Sequence, residues 1–532
     1  NVFNVGGIDG LAKDSTIANG LDNDKLAFQI YNQLNVTGSY NVGGIAGKIE
    51  GTIVTNVANF GTILAKGSTK EEYLFHSNDK FSGTVTYKDP NNNLASVEVK
   101  AANAGGIVGN AGSSTTNNKS VIKNTVNSGD VYTESTLDNN AGTYYHAGNV
   151  GGIVGRAEDT EITNGENKEN TIAGAHNVGG VAGYLTGKSF VSVGINNGGN
   201  ITATGARLYN GSDFAKESIR NPVNNGSYAS SNLERFNIGN IGGIVGYMYG
   251  DDAYVTSSGN RGTVHSSYFE GNTVPESAQA ANVGGIVGKV DRSKTNDKNT
   301  ILSNGSLNID KIAVSNSYST GEVQGYTGVG GVVGLMYNGE VAGSYNLGTL
   351  RSTRQNALGT AALNMGGIVG DTTEGTDARV LIYDVYNSGT IGDENFEYYG
   401  RHIGGIVGRL SGTVEKAYNT GNIYNGSNVV GGIAGYWNAG SITNVFNTGN
   451  ITVSNKNTAQ SQVGGIAGAA NIGSGNLTLS NAYNIGVLRS FKDNSSPDGK
   501  NVLGGIVGYL VDYGTDDGTL KISNVYTMGN LY

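Results

Sequence analysis

Cysteine is absent from this 532-residue sequence, which has only 4 prolines and 1 tryptophan. Without cysteine there are no disulfides, thiolate metal sites or cysteine nucleophiles. With so little proline, and no glycine at every third place, the 87 glycines do not make a collagen. Charged residues are sparse at 14%, the net charge is -9, and Lys and Arg are not clustered. A nucleic-acid footprint is therefore absent. No apolar run approaches the ~20 residues of a membrane-spanning helix, and no signal peptide opens the chain. The sequence starts at Asn1 inside a repeat, as expected for a processed or trimmed piece of something longer.

What is present is repetition. Gly-Gly-[Ile/Val]-x-Gly occurs thirteen times, beginning at Gly6, Gly43, Gly105, Gly151, Gly179, Gly242, Gly284, Gly330, Gly366, Gly404, Gly431, Gly464 and Gly504. A second phrase, [Tyr/Phe]-Asn-x-Gly-x-[Ile/Leu/Val], follows clearly from Tyr345, Tyr386, Tyr418, Phe446 and Tyr483 and more loosely elsewhere. Self-similarity at this period marks a repeat architecture. It favours one elongated domain, residues 1–532, over the roughly three globular domains that length alone suggests.

The shortest spacing, 27 residues from Gly404 to Gly431, isolates one unit. It reads as three strands: Gly405–Leu410, Thr413–Tyr418 and Gly421–Tyr424. Within the unit helices are disfavoured, because glycine at this density costs about 1 kcal/mol per residue in a helix. Three strands per repeat, each paired with its copy one coil away, make an all-β fold. The expectation is a right-handed parallel β-helix, or β-solenoid, of about thirteen coils with strands spaced ~4.8 Å. Ile45, Ile153, Ile244, Ile406 and Ile466 point into its core. Repeated asparagines and aromatics stack as ladders, and the pattern leaves open whether the aromatic ladder faces in or out. The spacing Ile442-Thr-Asn-Val445 is odd for a strand and implies a bend.

These two phrases together resemble the GLUG motif. The resemblance covers nearly the whole chain. It implies a secreted or wall-attached bacterial protein, since that repeat occurs in bacterial surface and adhesin-like proteins and in IgA1-specific metallopeptidases. It does not imply one activity. No His-Glu-x-x-His occurs, and His76, His146, His176, His265 and His402 are scattered, so the peptidase site is not in this piece.

Extra residues collect mostly at one corner, after the third strand. That connection is 41 residues after Ile63, 40 after Ile201 and 19 after Val131 and Val264, against 6 after Val323. Residues 64–104 read as a β-hairpin, Gly83–Lys88 against Leu94–Lys100. Residues 202–241 contain a short helix at 212–219, and residues 289–313 interrupt the first and second strands. If a ligand binds, it binds along the edge carrying 64–104, 132–150, 202–241 and 265–283. The ligand expected there is a host or neighbouring-cell surface protein or glycan. The aromatics expected to contact it are Tyr73, Tyr87, Tyr144, Tyr145, Tyr209 and Tyr268.

A second surface is suggested by the fourth place of Gly-Gly-Ile-x-Gly, which is Val or Ala in twelve copies of thirteen, Asp9 being the exception. If strand side chains alternate, this stripe faces away from the core Ile and needs a cover. The cover is either the insertions folding back or a neighbouring copy in a filament. Val333, Val369, Val407 and Ala434 mark the candidate self-association stripe.

Catalytic residues are not found. Gly183–Ser189 is one residue short of a phosphate-binding loop, and its first glycine belongs to the repeat. Paired acids occur only in turns or insertions: Glu71-Glu72, Asp251-Asp252 and Asp516-Asp517. Acid–base chemistry needs convergent titratable groups. The chain therefore reads as a non-catalytic adhesin, stalk or filament segment. The alternatives are the repeat region of a metallopeptidase and, more weakly, a carbohydrate-active β-helix enzyme. No cofactor is expected, with calcium in the oxygen-rich loops 493–498 and 512–518 the lesser alternative.

Overall fold

The computed structural model describes residues 4–18, 30–65, 83–88, 94–99, 102–114, 118–133, 137–138, 143–144, 148–174, 176–203, 239–266, 282–292, 312–325, 327–352, 364–372, 380–395, 400–425, 429–455, 461–492, 501–512 and 518–532. Its contacts group into two units, residues 1–247 with 266–281, and residues 248–265 with 282–532. Each unit is a parallel β-solenoid in which one Gly-Gly repeat forms one coil.

The coil from His402 in the second unit shows the plan. A leading strand, His402–Gly404, runs into a corner at Gly405 and Ile406. A long strand, Val407–Asn419, follows, and then a trailing strand, Ile423–Asn425. Each pairs in parallel with its copy in the next coil: Ile403 with Val430, Val407 with Ala434, and Ile423 with Ile451. Successive corner isoleucines are tied by backbone bonds, Ile368 N–H to Ile406 O at 2.9 Å and Ile406 N–H to Ile433 O at 3.0 Å. The first unit repeats this, its leading strands pairing Asn4–Asn41–Asn103–Asn149–Asn177–Asn240 in register.

Three strands per coil is the expected number, but the boundaries differ. The strand expected at 405–410 starts at Val407 and continues through the one expected at 413–418. The leading strand before the glycine pair is additional. Its residues carry no distinguishing β signal, because Asn-Val-Gly is as suited to a turn as to a strand.

Both halves of the repeat are explained by one close contact. At the end of the long strand, or of the short strands that stand in its place, lies a buried asparagine: Asn32, Asn59, Asn127, Asn167 and Asn196 in the first unit, and Asn346, Asn387, Asn419, Asn447 and Asn484 in the second. From Asn32 through Asn167, and from Asn346 through Asn447, each amide donates to the next coil's amide, as in Asn419 Nδ2 to Asn447 Oδ1 at 2.8 Å; Asn484, at the end of its run, donates to Thr527 Oγ1. In all but the Asn167 and Asn196 coils the amide also donates to the carbonyl two residues on, as in Asn419 Nδ2 to Gly421 O at 2.9 Å; Asn196 reaches Gly199 O, three residues on. That second bond closes the turn and fixes which way round the amide sits. The ladder lies directly beneath the corner. A methyl group on Gly405 would sit 2.0 Å from Gly432 O and 2.5 Å from Asn419 Cγ. The second glycine of Gly-Gly is therefore required by the asparagine of the other phrase.

The bend implied at Ile442–Val445 is also located. Asn444 has φ 55°, in the left-handed region, as do Asn56, Asn124, Asn164, Asn481 and Asn524 at equivalent places. Such a residue reverses the side-chain alternation, so Ile442 and Val445 are both buried although three positions apart. Asparagine tolerates this conformation best among residues with a Cβ. The expected hairpin forms as Gly83–Lys88 antiparallel to Leu94–Val99. The helix expected at 212–219 lies outside the described residues.

Two outcomes follow for stability. Gly405→Ala is expected to cost about 1–3 kcal/mol through overpacking. Gly112→Ala, where a methyl group would meet nothing within 4 Å, is expected to be neutral or stabilising by about 0.4–1 kcal/mol. Urea midpoints of the two variants test the contrast. At Val193, a β-branched residue holds φ 56° where Asn164 stands in the preceding coil. Val193→Asn is expected to stabilise by roughly 1 kcal/mol, because it relieves a left-handed valine; an unchanged or lowered Tm would contradict this.

Candidate functional site: the outer face of the long strands

In the second unit, from the coil of Tyr318 onward, the residue before the ladder position (Asn in five coils, Ser319 and Thr527 at the two ends) points outward and is aromatic in all seven. Tyr318, Tyr345, Tyr386, Tyr418, Phe446, Tyr483 and Tyr526 form one continuous stack. From Tyr345 onward neighbouring centroids are 4.8–5.1 Å apart and the planes diverge by no more than 6°. The first step, Tyr318 to Tyr345, is 5.6 Å and 13°. Register sets this spacing: Tyr345 pairs with Tyr386, Tyr386 with Tyr418, and Phe446 with Tyr483. The rings are half-buried, and Tyr526 at the last coil is 52% exposed. The aromatic ladder thus faces out. Each ring covers its neighbour's faces, leaving edges and phenol hydroxyls to solvent. Arg261 lies over the Tyr318 ring and donates to its hydroxyl at 2.9 Å. Burial, together with the nearby Tyr345 and Tyr418 phenols, raises the pKa of Tyr386.

A row of small polar groups runs along another position of the coils. Outward asparagines in the left-handed bend bond along the axis, Asn481 to Asn444 at 2.9 Å and Asn524 to Asn481 at 3.1 Å. Lys416 takes that bend in its own coil and reaches the Tyr383 ring and hydroxyl.

His402 is strongly perturbed. It occupies the leading-strand place held by asparagine in most coils, and it is buried. Its Nδ1 lies 2.8 Å from Asn364 Oδ1, and its ring stacks on Tyr436 at 4.9 Å. Burial first, then the charges of Arg401 and Arg409, push its pKa down to about 3. A neutral imidazole that donates from Nδ1 takes the place of a leading-strand amide, which elsewhere bonds its copy as Asn149 Nδ2 does to Asn103 Oδ1 at 2.8 Å. Burial also lowers the pKa of His265, against the pull of Glu322. The Asp251-Asp252 turn lies near the buried Arg292, which bonds Glu340 at 3.0 Å and Ala253 O at 2.8 Å.

The candidate sites expected from sequence fall as follows. Tyr87 lies on the hairpin opposite Ala95, and Tyr144 on a short strand opposite Leu137. Tyr73, Tyr145, Tyr209 and Tyr268 lie outside the described residues, as do His76, His146, Glu71-Glu72, Asp516-Asp517 and loop 493–498. Gly183–Ser189 is a coil segment, where Ser189 Oγ accepts from Thr160 N–H at 2.9 Å. Val333, Val369, Val407 and Ala434 are fully buried within a single chain, which leaves a second copy no access to them. Their burial was expected, but under a cover laid on an outward face; the alternation behind that facing does not hold, because Ile406 sits in the corner and not in the strand. The outward tyrosine ladder was legible as a repeat, but its facing was settled only by the left-handed bend two residues earlier. Among the described residues no group of three or more His, Asp or Glu is placed to hold a metal ion, and no helix is long and apolar enough to cross a membrane.

No family model and no solved structure matches the chain. A stretch of 186 residues, 33% of the chain, is 28% identical to halomucin of Haloquadratum walsbyi. That stretch is 2% of halomucin, so the chain spans a small part of the length of the curated relative it matches.

The His402 arrangement has a pH consequence. Its folded pKa lies below the unfolded value near 6.5, so the unfolded state binds more protons between about pH 3 and pH 6.5. The stability that the neutral ring contributes is complete above about pH 6.5. It falls by up to about 1.4 kcal/mol per pH unit as pH drops, until about pH 3. In His402→Asn the amide takes over the bond to Asn364 and this component vanishes. Urea titrations of both proteins from pH 7 to 4 are expected to show a steeper loss in the parent; parallel curves would contradict the assignment.

Proposed function

We propose that this chain is a non-catalytic β-solenoid segment of a secreted or cell-surface protein, serving as a stalk, filament or adhesin of the GLUG-repeat kind. The observation that carries the reading is that outward positions of the long strands are spent on bonding to themselves from coil to coil. Rings stack on rings and amides bond amides, so the repeated surface supports length and stiffness more than chemistry. The likeness to halomucin supports the same reading, as do the sparse charge and the absence of cysteine. Ligand contacts, in this reading, belong to the corner that carries the insertions 64–104 and 202–241. Fold alone does not carry function, so the location and the ligand edge each need a test.

Brief protease treatment of intact cells, followed by mass spectrometry of the released peptides, is the test of location. Peptides from this chain are expected in the released fraction while cytoplasmic marker peptides stay in the cells. Detection only after lysis would overturn the surface assignment. For the ligand edge, deleting 64–104 and 202–241 together is expected to lower adhesion to host or neighbouring cells at least tenfold; undiminished adhesion would remove the edge from the reading.

A further inference from the structure

The tyrosine ladder has a reactive consequence that is independent of where the protein resides. We propose that the ladder from Tyr318 to Tyr526 is a site of oxidative cross-linking, at which neighbouring tyrosines couple to dityrosine and join successive coils covalently. Elsewhere a tyrosyl radical must encounter its partner by diffusion. Here the partner ring is already in place, at 4.9 Å between Tyr345 and Tyr386, 5.0 Å between Tyr386 and Tyr418, and 5.1 Å between Tyr483 and Tyr526. Parallel register holds the two backbones one strand spacing apart. The rings stand on the outer face and are half-exposed or exposed, so an oxidant reaches them and each ring has room to swing into bonding contact.

The chemistry balances with a peroxide as oxidant and a peroxidase as its catalyst. Each of two tyrosines gives up one electron and its phenolic proton, forming a phenoxyl radical. The radicals join through their ortho carbons, and each of those carbons then releases its hydrogen as the phenol reforms. The pair loses two hydrogens, and one hydrogen peroxide is reduced to two waters.

Specificity follows from the sequence of the stack. Phe446 separates Tyr418 from Tyr483, at 4.8 Å and 5.0 Å. It has no phenol to oxidise, so no link forms across it. Tyr184 and Tyr247 are also close, at 5.3 Å, but their planes are tilted by 38° and each is only 2% exposed. That pair is expected to stay unlinked.

The test is to treat the dilute full-length chain with a peroxidase and hydrogen peroxide, digest it, and map linked peptides by mass spectrometry. Free tyrosine in a parallel tube verifies that the oxidant works. Expected links join Tyr318 to Tyr345, Tyr345 to Tyr386, Tyr386 to Tyr418, and Tyr483 to Tyr526. Tyr386→Phe, which keeps the ring stack, is expected to remove the two links made by that residue and leave the Tyr483–Tyr526 link. Phe446→Tyr is expected to add links on both sides. Links confined to tyrosines outside the ladder, links only between molecules, or none while free tyrosine dimerises, would each overturn the proposal. So would links that persist at the same positions regardless of the two substitutions.

Discussion

A buried amide that bonds its own copy in the next coil is the interaction on which this fold depends. Asn346, Asn387, Asn419 and Asn447 each offer one hydrogen to the following amide and one to a glycine carbonyl two residues away. A buried polar side chain is costly when unpaired, by about 1–3 kcal/mol. The ladder removes that cost only while every coil keeps register. A coil slipped by one residue would bury an amide without its partner and push an aromatic ring into the core. The ladder therefore specifies register more strongly than isoleucine stacking does, since one apolar contact resembles another.

Glycine is the complement of this ladder. The second glycine of each pair clears space above the asparagine, and the glycine two places after it clears space between turns; a methyl group on Gly421 would lie 2.0 Å from Gly389 O. These demands are steric and local, and they tie the two phrases of the repeat to each other. They also explain why the fourth place of Gly-Gly-Ile-x-Gly holds only small apolar residues after Asp9. That place follows the corner directly and is buried against the chain itself.

The outer face obeys a looser rule. Each residue there needs only to tolerate an identical or similar neighbour one strand spacing away. Aromatic rings satisfy this by stacking, at about 0.5–1.5 kcal/mol per pair, and asparagines by bonding along the axis. In the first unit the same place holds Tyr31, Ala58, Val126, Glu166 and Ile195 in successive coils, and no continuous ring ladder forms. The solenoid thus persists through changes outside that would destroy it inside.

Much of this was legible in the chain order. The Gly-Gly-Ile-x-Gly and Tyr-Asn-x-Gly-x-Ile phrases carried the coil count, the parallel pairing and the core isoleucines. The hairpin at 83–99 was equally plain, because alternation on both sides of a Pro/Asn turn has few other readings. Other features were not legible, for one physical reason: periodicity reports facing only while alternation is unbroken. The corner at Gly405-Ile406 and the left-handed Asn444 each interrupt it. Hence the leading strand His402–Gly404, the inward facing of Val407 and the outward turn of Tyr418 had to come from the packed structure. Sequence by itself determined which residues recur and therefore which stack. Only the tertiary structure decided which side of the wall each stack occupies, because that depends on backbone bends whose φ angles no side-chain pattern records.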